Sequence, residues 1–369
     1  MNLLCISDYA ARIESDLIRA INNAADPRKS FTYLKKKLLR YRFKKPDWIH
    51  YVDRSISWIS GQYALGLSAA ASPEATRALS RYYRRLRTVQ ALSLPIFEVP
   101  DQVIHAEVLL QLHERLGRTR LRPLIDQAAD FLKSVASRNN GLVAYWPPDP
   151  ELLVDTLGII TDFCYHYTDV FGDAALAEIA DRQIRYTEQF CLDPESGFPF
   201  HAYDPAAGRG RGASCWGRGV GWYLLGLSAY TRRHPENAAR LLQVFQAVFR
   251  TQDPDGHLYD NLAAPTHIDS SATCMAALSL AESIECGLFT PQDTARLAPF
   301  LVKSLRALCR STTEDGKVMD CSGECRAPGQ YSTAYGNYFS QGYTLILFKL
   351  VQRSEALRQI LSVCKEEKL

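Results

Sequence analysis

Six side chains stand where chemistry could be done: Asp101, Asp155, His201, Trp216, Arg218 and Trp222. Asp101 opens the stretch DQVIHAEVLLQL, and Asp155 sits within LLVDTLGIITDF. SCWGRGVGWYLLGL carries Trp216, Arg218 and Trp222, and HIDSSATCMAAL carries Asp269, Ser271 and Thr273. In each case polar residues lead directly into an apolar run. Asp, Ser and Thr in such places are ordinary helix N-caps. Arg218 is not, because a cation at a helix N-terminus opposes the dipole and requires a carboxylate or an anionic ligand beside it. The indoles of Trp216 and Trp222 are flat surfaces with one polar tip, suited to stacking on a sugar ring, and core packing is the other reading of Trp222. His201, in SGFPFHAYDP, lies in the loop leading to that helix, where it can touch a ligand. Two carboxylates, Asp101 and Asp155, could supply acid and base. The glycines at 217, 219 and 221 allow close approach but do not match a dinucleotide fingerprint.

The elements that must position these groups repeat. SRNNGLVAYW, DPESGFPFHAYD, DPDGHLYD and EDGKVMD each place a glycine in a polar turn after a helix-like segment. Gly141, Gly197, Gly256 and Gly316 are 56, 59 and 60 residues apart, about two helices with their connections. Between these turns, segments with one wet face alternate with segments that are apolar nearly all round. The wet-faced ones lie near 8–24, 75–91, 120–137, 174–191, 236–251 and 293–310. The apolar ones lie near 54–69, 101–116, 153–168, 218–231, 270–286 and 340–351. Leu297, Leu301, Leu305 and Leu308 recur at helical spacing, and Pro299 sets the expected start of that regular helix. Six of each kind in strict alternation predict an all-α fold, an (α/α)6 toroid of six helical hairpins forming a single domain over 1–369. The starts of the inner helices then share one rim, and the six side chains converge on one cleft.

Composition narrows the function. The net charge is +3, which argues against a nucleic-acid partner. No apolar run approaches the roughly 20 residues that span a bilayer. The N-terminus lacks a basic segment followed by a signal-length apolar run, and the ten cysteines are widely spaced, so the expectation is a cytoplasmic protein. Cys321 and Cys325 lack a second pair at metal-ligand spacing. Nine basic residues and no acid lie between Arg28 and Lys45, either a solvated helix face with its loop or a site for an anionic partner.

The order Gly197-Phe198…His201-Ala202-Tyr203-Asp204, Trp216-Gly217-Arg218-Gly219…Gly221-Trp222, Asp269…Ser271-Ala272-Thr273 and Tyr338…Gln341-Gly342 resembles the unsaturated rhamnogalacturonyl hydrolases of glycoside hydrolase family 105, related to the unsaturated glucuronyl hydrolases of family 88. The likeness extends back through Asp155-Thr156-Leu157 and Asp101-Gln102-Val103 to Trp58. It implies an (α/α)6 barrel acting in pectin degradation, with a small unsaturated oligosaccharide as its partner and no metal or organic cofactor. It makes Asp155 the catalytic acid/base and Asp101 the second acidic residue of the site. It places His201, Trp216, Arg218 and Trp222 against substrate. The chain departs from the family at Leu153, where Trp is frequent, at Gln102, where His is frequent, and at Val220, where Asn is common. These departures are expected in the pocket wall.

The chemistry so implied is hydration of a vinyl ether. A 4,5-unsaturated uronic acid is protonated at C4, water adds at C5, and the hemiketal opens to release the remaining sugar. Asp155 could give the proton and then help deprotonate the water. Its place at a helix start favours the ionised form, so burial and the neighbouring Asp101 would have to raise its pKa. Two other readings remain: a conventional inverting glycosidase with Asp101 and Asp155 as its pair, and a non-catalytic helical scaffold that binds saccharide.

Overall fold

The computed structural model describes residues 3–43, 56–146, 149–325, 327–332 and 339–366. Among them are fifteen α-helices, with only three short strands. Six helices form an inner ring: α3 (Trp58–Ala70), α6 (Ile104–Leu116), α8 (Asp155–Phe171), α10 (Gly217–Arg233), α12 (Ser270–Glu285) and α14 (Gln341–Arg353). Each packs on the next, and α14 packs back on α3, closing the ring. Six positions outside it are filled by α1 (Leu3–Ala24), α4 (Pro73–Tyr82) with α5 (Arg84–Ala91), α7 (Arg122–Ser137), α9 (Ala174–Tyr186), α11 (Ala238–Phe249) and α13 (Pro291–Arg310). This is the alternation expected from the sequence.

Periodicity explains the two rings. Every residue of α10 from Gly217 to Thr231 is buried, because this helix has neighbours on all sides. On α13 only a stripe is buried, including Leu297, Leu301, Leu305 and Leu308. Burying each of these leucines contributes roughly 1.5–3 kcal/mol. One hydrophobic cluster runs from Ile6 on α1 to Leu361 on the last helix. The four repeat glycines all take left-handed backbone, with φ of 81° at Gly141, 71° at Gly197, 98° at Gly256 and 89° at Gly316. Each turn carries the chain from an outer helix toward the next inner one.

Three details differ from expectation. Helix α13 begins at Pro291, not near Pro299: the Thr290 side chain accepts the Asp293 N–H at 3.1 Å, and Pro291 is preorganised for the first turn. The outer segment at 75–91 breaks at Tyr83 into α4 and α5. Two helices lie outside the twelve, α2 (Pro27–Tyr41) and α15 (Glu355–Glu366). Helix α2 carries most of the basic stretch, and its charge is partly answered by Glu98, which pairs with Lys37 and, at 2.6 Å, with Arg40. Positions 44 and 45 of that stretch fall outside the described residues.

Candidate active site

A three-stranded antiparallel sheet sets the first relationship in the site. Strand β1 (Leu152–Leu153) pairs with β2 (Ala202–Asp204), which pairs with β3 (Arg209–Arg211). The Val154 N–H continues the ladder by donating to the His201 carbonyl at 2.9 Å. Asp155 follows at once as the first residue of α8. His201 and Asp155 are therefore fixed side by side, with His201 Nε2 3.7 Å from Asp155 Oδ2. Neither Asp155 Oδ2 nor His201 Nδ1, both buried, has a hydrogen-bond partner.

Burial pushes Asp155 up to about 6, against the opposing Arg218 charge and a hydrogen bond from its own backbone N–H. Burial pushes His201 down to about 4, and Arg218 acts in the same direction. At neutral pH His201 is neutral, so the pair is not an ion pair. An undissociated Asp155 is accessible near pH 6.

Asp101 stands in a short 3-10 turn, Pro100–Val103, ahead of α6. Burial raises it to about 7. Hydrogen bonds from the Trp58 backbone and the Tyr145 side chain oppose that rise, while the charges of Asp155 and Glu324 add to it. Its Oδ1 is buried without a partner. The expected electrostatic relation thus runs the other way: burial lifts Asp155, and the repulsion between the two carboxylates falls on Asp101.

Arg218 is 2% exposed. Its Nη1 donates to the Ser322 carbonyl at 2.9 Å and to Ser322 Oγ at 2.7 Å, and its Nη2 donates to the Gly323 carbonyl at 2.6 Å. The guanidinium lies 5.1 Å from the Trp216 ring and 5.7 Å from Trp58. Asp269 caps α12 and accepts from Ser322 Oγ at 2.6 Å, so its charge reaches Arg218 through that hydroxyl. The cation is thus answered by loop carbonyls and a relayed carboxylate, and direct contact with substrate would require this loop to yield.

Trp222 is 1% exposed. It meets Trp58 and Tyr343 edge to face, at 5.9 and 5.7 Å, and fills the space left by the missing side chain of Gly158. The stacking face expected of it is covered, because α8 and α10 approach closely at Gly158. Trp216 stacks on His201 at 4.3 Å and lies 5.6 Å from Tyr331. Its chain turns into α10 at Gly217, whose missing Cβ would stand 2.0 Å from the Tyr259 carbonyl. The six expected residues all lie at the amino-terminal end of the inner ring, Trp222 one turn deeper than the rest.

The likeness extends well beyond the site. The model of Glycosyl Hydrolase Family 88 matches residues 51–353. The chain belongs to that family. As a family 88 protein it is a glycoside hydrolase. Unsaturated glucuronyl hydrolase from Bacillus sp. GL1, responsible for the degradation of glycosaminoglycan, is similar at 18% identity with a TM-score of 0.68, covering 83% of this chain and 89% of that one. A family 105 glycoside hydrolase from C. acetobutylicum is similar at 16% identity and a TM-score of 0.61, covering 87% and 99%. A family 88 glycosyl hydrolase from Bacteroides vulgatus is similar at 15% identity and 0.63, covering 88% and 99%. At these identities the likeness is one of fold, the helical barrel. No curated protein sequence matches the chain.

The three residues that depart from the family pattern are all buried. Gln102 is fully buried and its Oε1 accepts the Glu98 N–H at 2.7 Å, which holds the turn that carries Asp101. Leu153 packs with Tyr145 and Ala202 beneath the β1–β2 ladder, and Val220 is buried in α10. Sequence reasoning missed Tyr145, Ser322, Glu324 and Tyr331. Only Ser322 and Glu324 carried any signal, through the polar residues between Cys321 and Cys325. Tyr338 lies outside the described residues.

Proposed function

We propose that this family 88 glycoside hydrolase removes a 4,5-unsaturated uronic acid from the non-reducing end of lyase-generated oligosaccharides. The preferred substrates are of the rhamnogalacturonyl type that the motif order resembles. The observation that carries this reading is the Asp155 carboxyl, lifted to about 6 by burial with a buried Oδ2 that has no partner. Such a group can hold a proton near neutral pH and aim it at an electron-rich carbon. Asp155 protonates C4, the charge develops at C5, and water adds there as Asp155, now ionised, accepts its proton. The hemiketal then opens to a keto acid and releases the aglycone sugar. Asp101 holds the second acidic position. His201, neutral, and Trp216 form one wall of the pocket. Arg218 and Trp222 act from behind it, through the 322–325 loop and the packing of α8 on α10.

The whole chain is proposed to act as one catalytic domain in the cytoplasm. No helix among the described residues is long and apolar enough to cross a membrane, and the nine described cysteines are all free thiols.

Ultraviolet absorbance tests the reading on a panel of unsaturated disaccharides differing in the second sugar. Hydration destroys the conjugated double bond, so absorbance must fall as sugar is released, fastest with a rhamnose leaving group. Sugar release with unchanged absorbance identifies a conventional inverting glycosidase, with Asp101 and Asp155 as its pair. A second reading of that kind is favoured by one observation, the raised pKa of Asp101.

A further inference from the structure

At the end of the barrel opposite Asp155, the inner helices enclose a cavity of about 470 Å³. The layer of Trp58, Trp222 and Tyr343 lies between it and the candidate active site. Its lining changes along the axis. Leu225, Leu278 and Gly158 form an apolar floor, and toward the open end the same inward stripes carry Glu107, Asp162, Glu282 and Arg232. Helical rise puts these carboxylates about 6 Å beyond the floor.

The charges at this level are unequal. Arg232 reaches one oxygen of Asp162 at 2.6 Å and one of Glu282 at 3.0 Å, and their other oxygens are not used by it. Burial raises both carboxyls against the Arg232 charge, and the charge of Glu107 adds to the rise of Asp162 and that of Asp162 to the rise of Glu282. Glu107 accepts from Gln111 at 2.7 Å and pairs at 2.9 Å with His166, which, against the effect of burial, Glu107 and Glu114 push up to about 9, so that it is a second cation at this level at pH 7. Six helix C-termini point the negative ends of their dipoles at the same opening. Arg115 and Arg353 stand farther out, exposed, where solvent screens them. The cavity also presents hydroxyls to an occupant. Ser68 is 3% exposed, and its Oγ has no hydrogen-bond partner. Tyr343 is 4% exposed and lies in the field of Asp162 and Glu282.

We propose that this cavity is a second binding site, for a small organic ammonium ion whose charge sits against the oxygens of Asp162 and Glu282 that Arg232 leaves unused and whose apolar part rests on Leu225 and Leu278. The volume falls within the range of small-ligand pockets. An anion, including an acidic saccharide, meets three carboxylates there against the two cations Arg232 and His166. A neutral apolar molecule would cover the partly exposed oxygens of Asp162 and Glu282 and the buried Ser68 hydroxyl without offering them donors or acceptors, which is costly. The site does not depend on the proposed hydrolase chemistry.

The test is calorimetric titration of the full chain at pH 7 and low salt with n-butylammonium, n-butanol and butyrate. Butylammonium is expected to bind saturably in the low millimolar range, about −4 kcal/mol, and the other two at least ~10-fold more weakly. Glu282→Gln keeps the shape and removes one charge, and should weaken butylammonium by ~10-fold or more. Asp162→Asn, at a half-exposed position that tolerates change, should do the same and serves if the first variant misfolds. Equal binding of butanol would leave only an apolar hole, and stronger binding of butyrate would make this an anion site. Either outcome overturns the proposal, as does absence of saturation to ~50 mM. Unchanged affinity in both variants would place the cation elsewhere and overturn it as well.

Discussion

His201 Nε2 stands 3.7 Å from Asp155 Oδ2, across a gap wider than a hydrogen bond, and the neutral imidazole forms no ion pair with the carboxyl group. The strand pairing of β1 with β2 keeps them there without an ion pair. With Asp155 titrating near 6 and His201 near 4, the form with a protonated acid beside a neutral imidazole is populated between those values. A protonated Asp155 is lost as pH rises through 6. The expected kcat profile is therefore flat between about 4 and 6 and falls toward neutral pH, by ~10-fold per unit once well above the pKa. A profile rising from pH 5 to 8 would contradict this.

Asp155→Asn retains the side-chain shape and removes the transferable proton. Turnover of an unsaturated disaccharide should fall by at least ~10²–10⁴-fold, with substrate binding preserved. Single-turnover kinetics and a direct binding titration separate the two effects. Loss of binding with turnover intact for bound substrate would remove Asp155 from the acid/base role.

Asp101 titrates near 7, above Asp155, so it still carries its proton while Asp155 ionises. Wild-type protein should show two ionisations belonging to the pair, near 6 and 7. Asp101→Asn should remove the upper one and leave the lower in place, as read by pH-dependent kcat. A lower limb displaced by a whole unit would show that Asp101 is charged when Asp155 titrates.

Arg218 is bonded to Ser322 and Gly323 and bears on Asp269 through Ser322. Arg218→Ala leaves these buried acceptors without a donor and Asp269 without its compensating cation. The expected loss is about 3–5 kcal/mol of stability, measured by denaturant unfolding, besides any loss of activity. A variant as stable as wild type but defective in binding would instead assign Arg218 directly to substrate.

The ring of helices was legible because burial writes itself into periodicity. Helix α10 must be apolar on every side and α13 on one stripe, and each pattern is visible in a single segment. Convergence of the helix starts followed from the ring, so Asp101, Asp155 and Arg218 could be grouped without knowing a distance. The partners of Arg218 were not legible, since Ser322 and Gly323 lie more than a hundred residues away in an irregular loop. Nor were strands of two or three residues, too short for alternation to show, although the β1–β2 pair fixes His201 against Asp155. Sequence left both readings of Trp222 open, sugar platform or core, because its exposure depends on Gly158, a neighbour on another helix. The order in which Asp101 and Asp155 titrate depended on the Arg218 charge, which lowers Asp155 and is not felt at Asp101, a proximity that sequence does not carry.

The central claim is that Asp155 delivers a proton to C4 of an unsaturated uronic acid. Hydrolysis of an unsaturated disaccharide in heavy water tests it most directly, because an exchangeable carboxyl then carries deuterium. Mass spectrometry and proton NMR of the released keto acid should show one deuterium placed at C4 during turnover, and Asp155→Asn should slow its incorporation along with product formation. The product must be sampled early, since later exchange beside the carbonyl is a separate process and is controlled by incubating preformed product. Released sugar with no deuterium at C4 would contradict the vinyl-ether hydration mechanism.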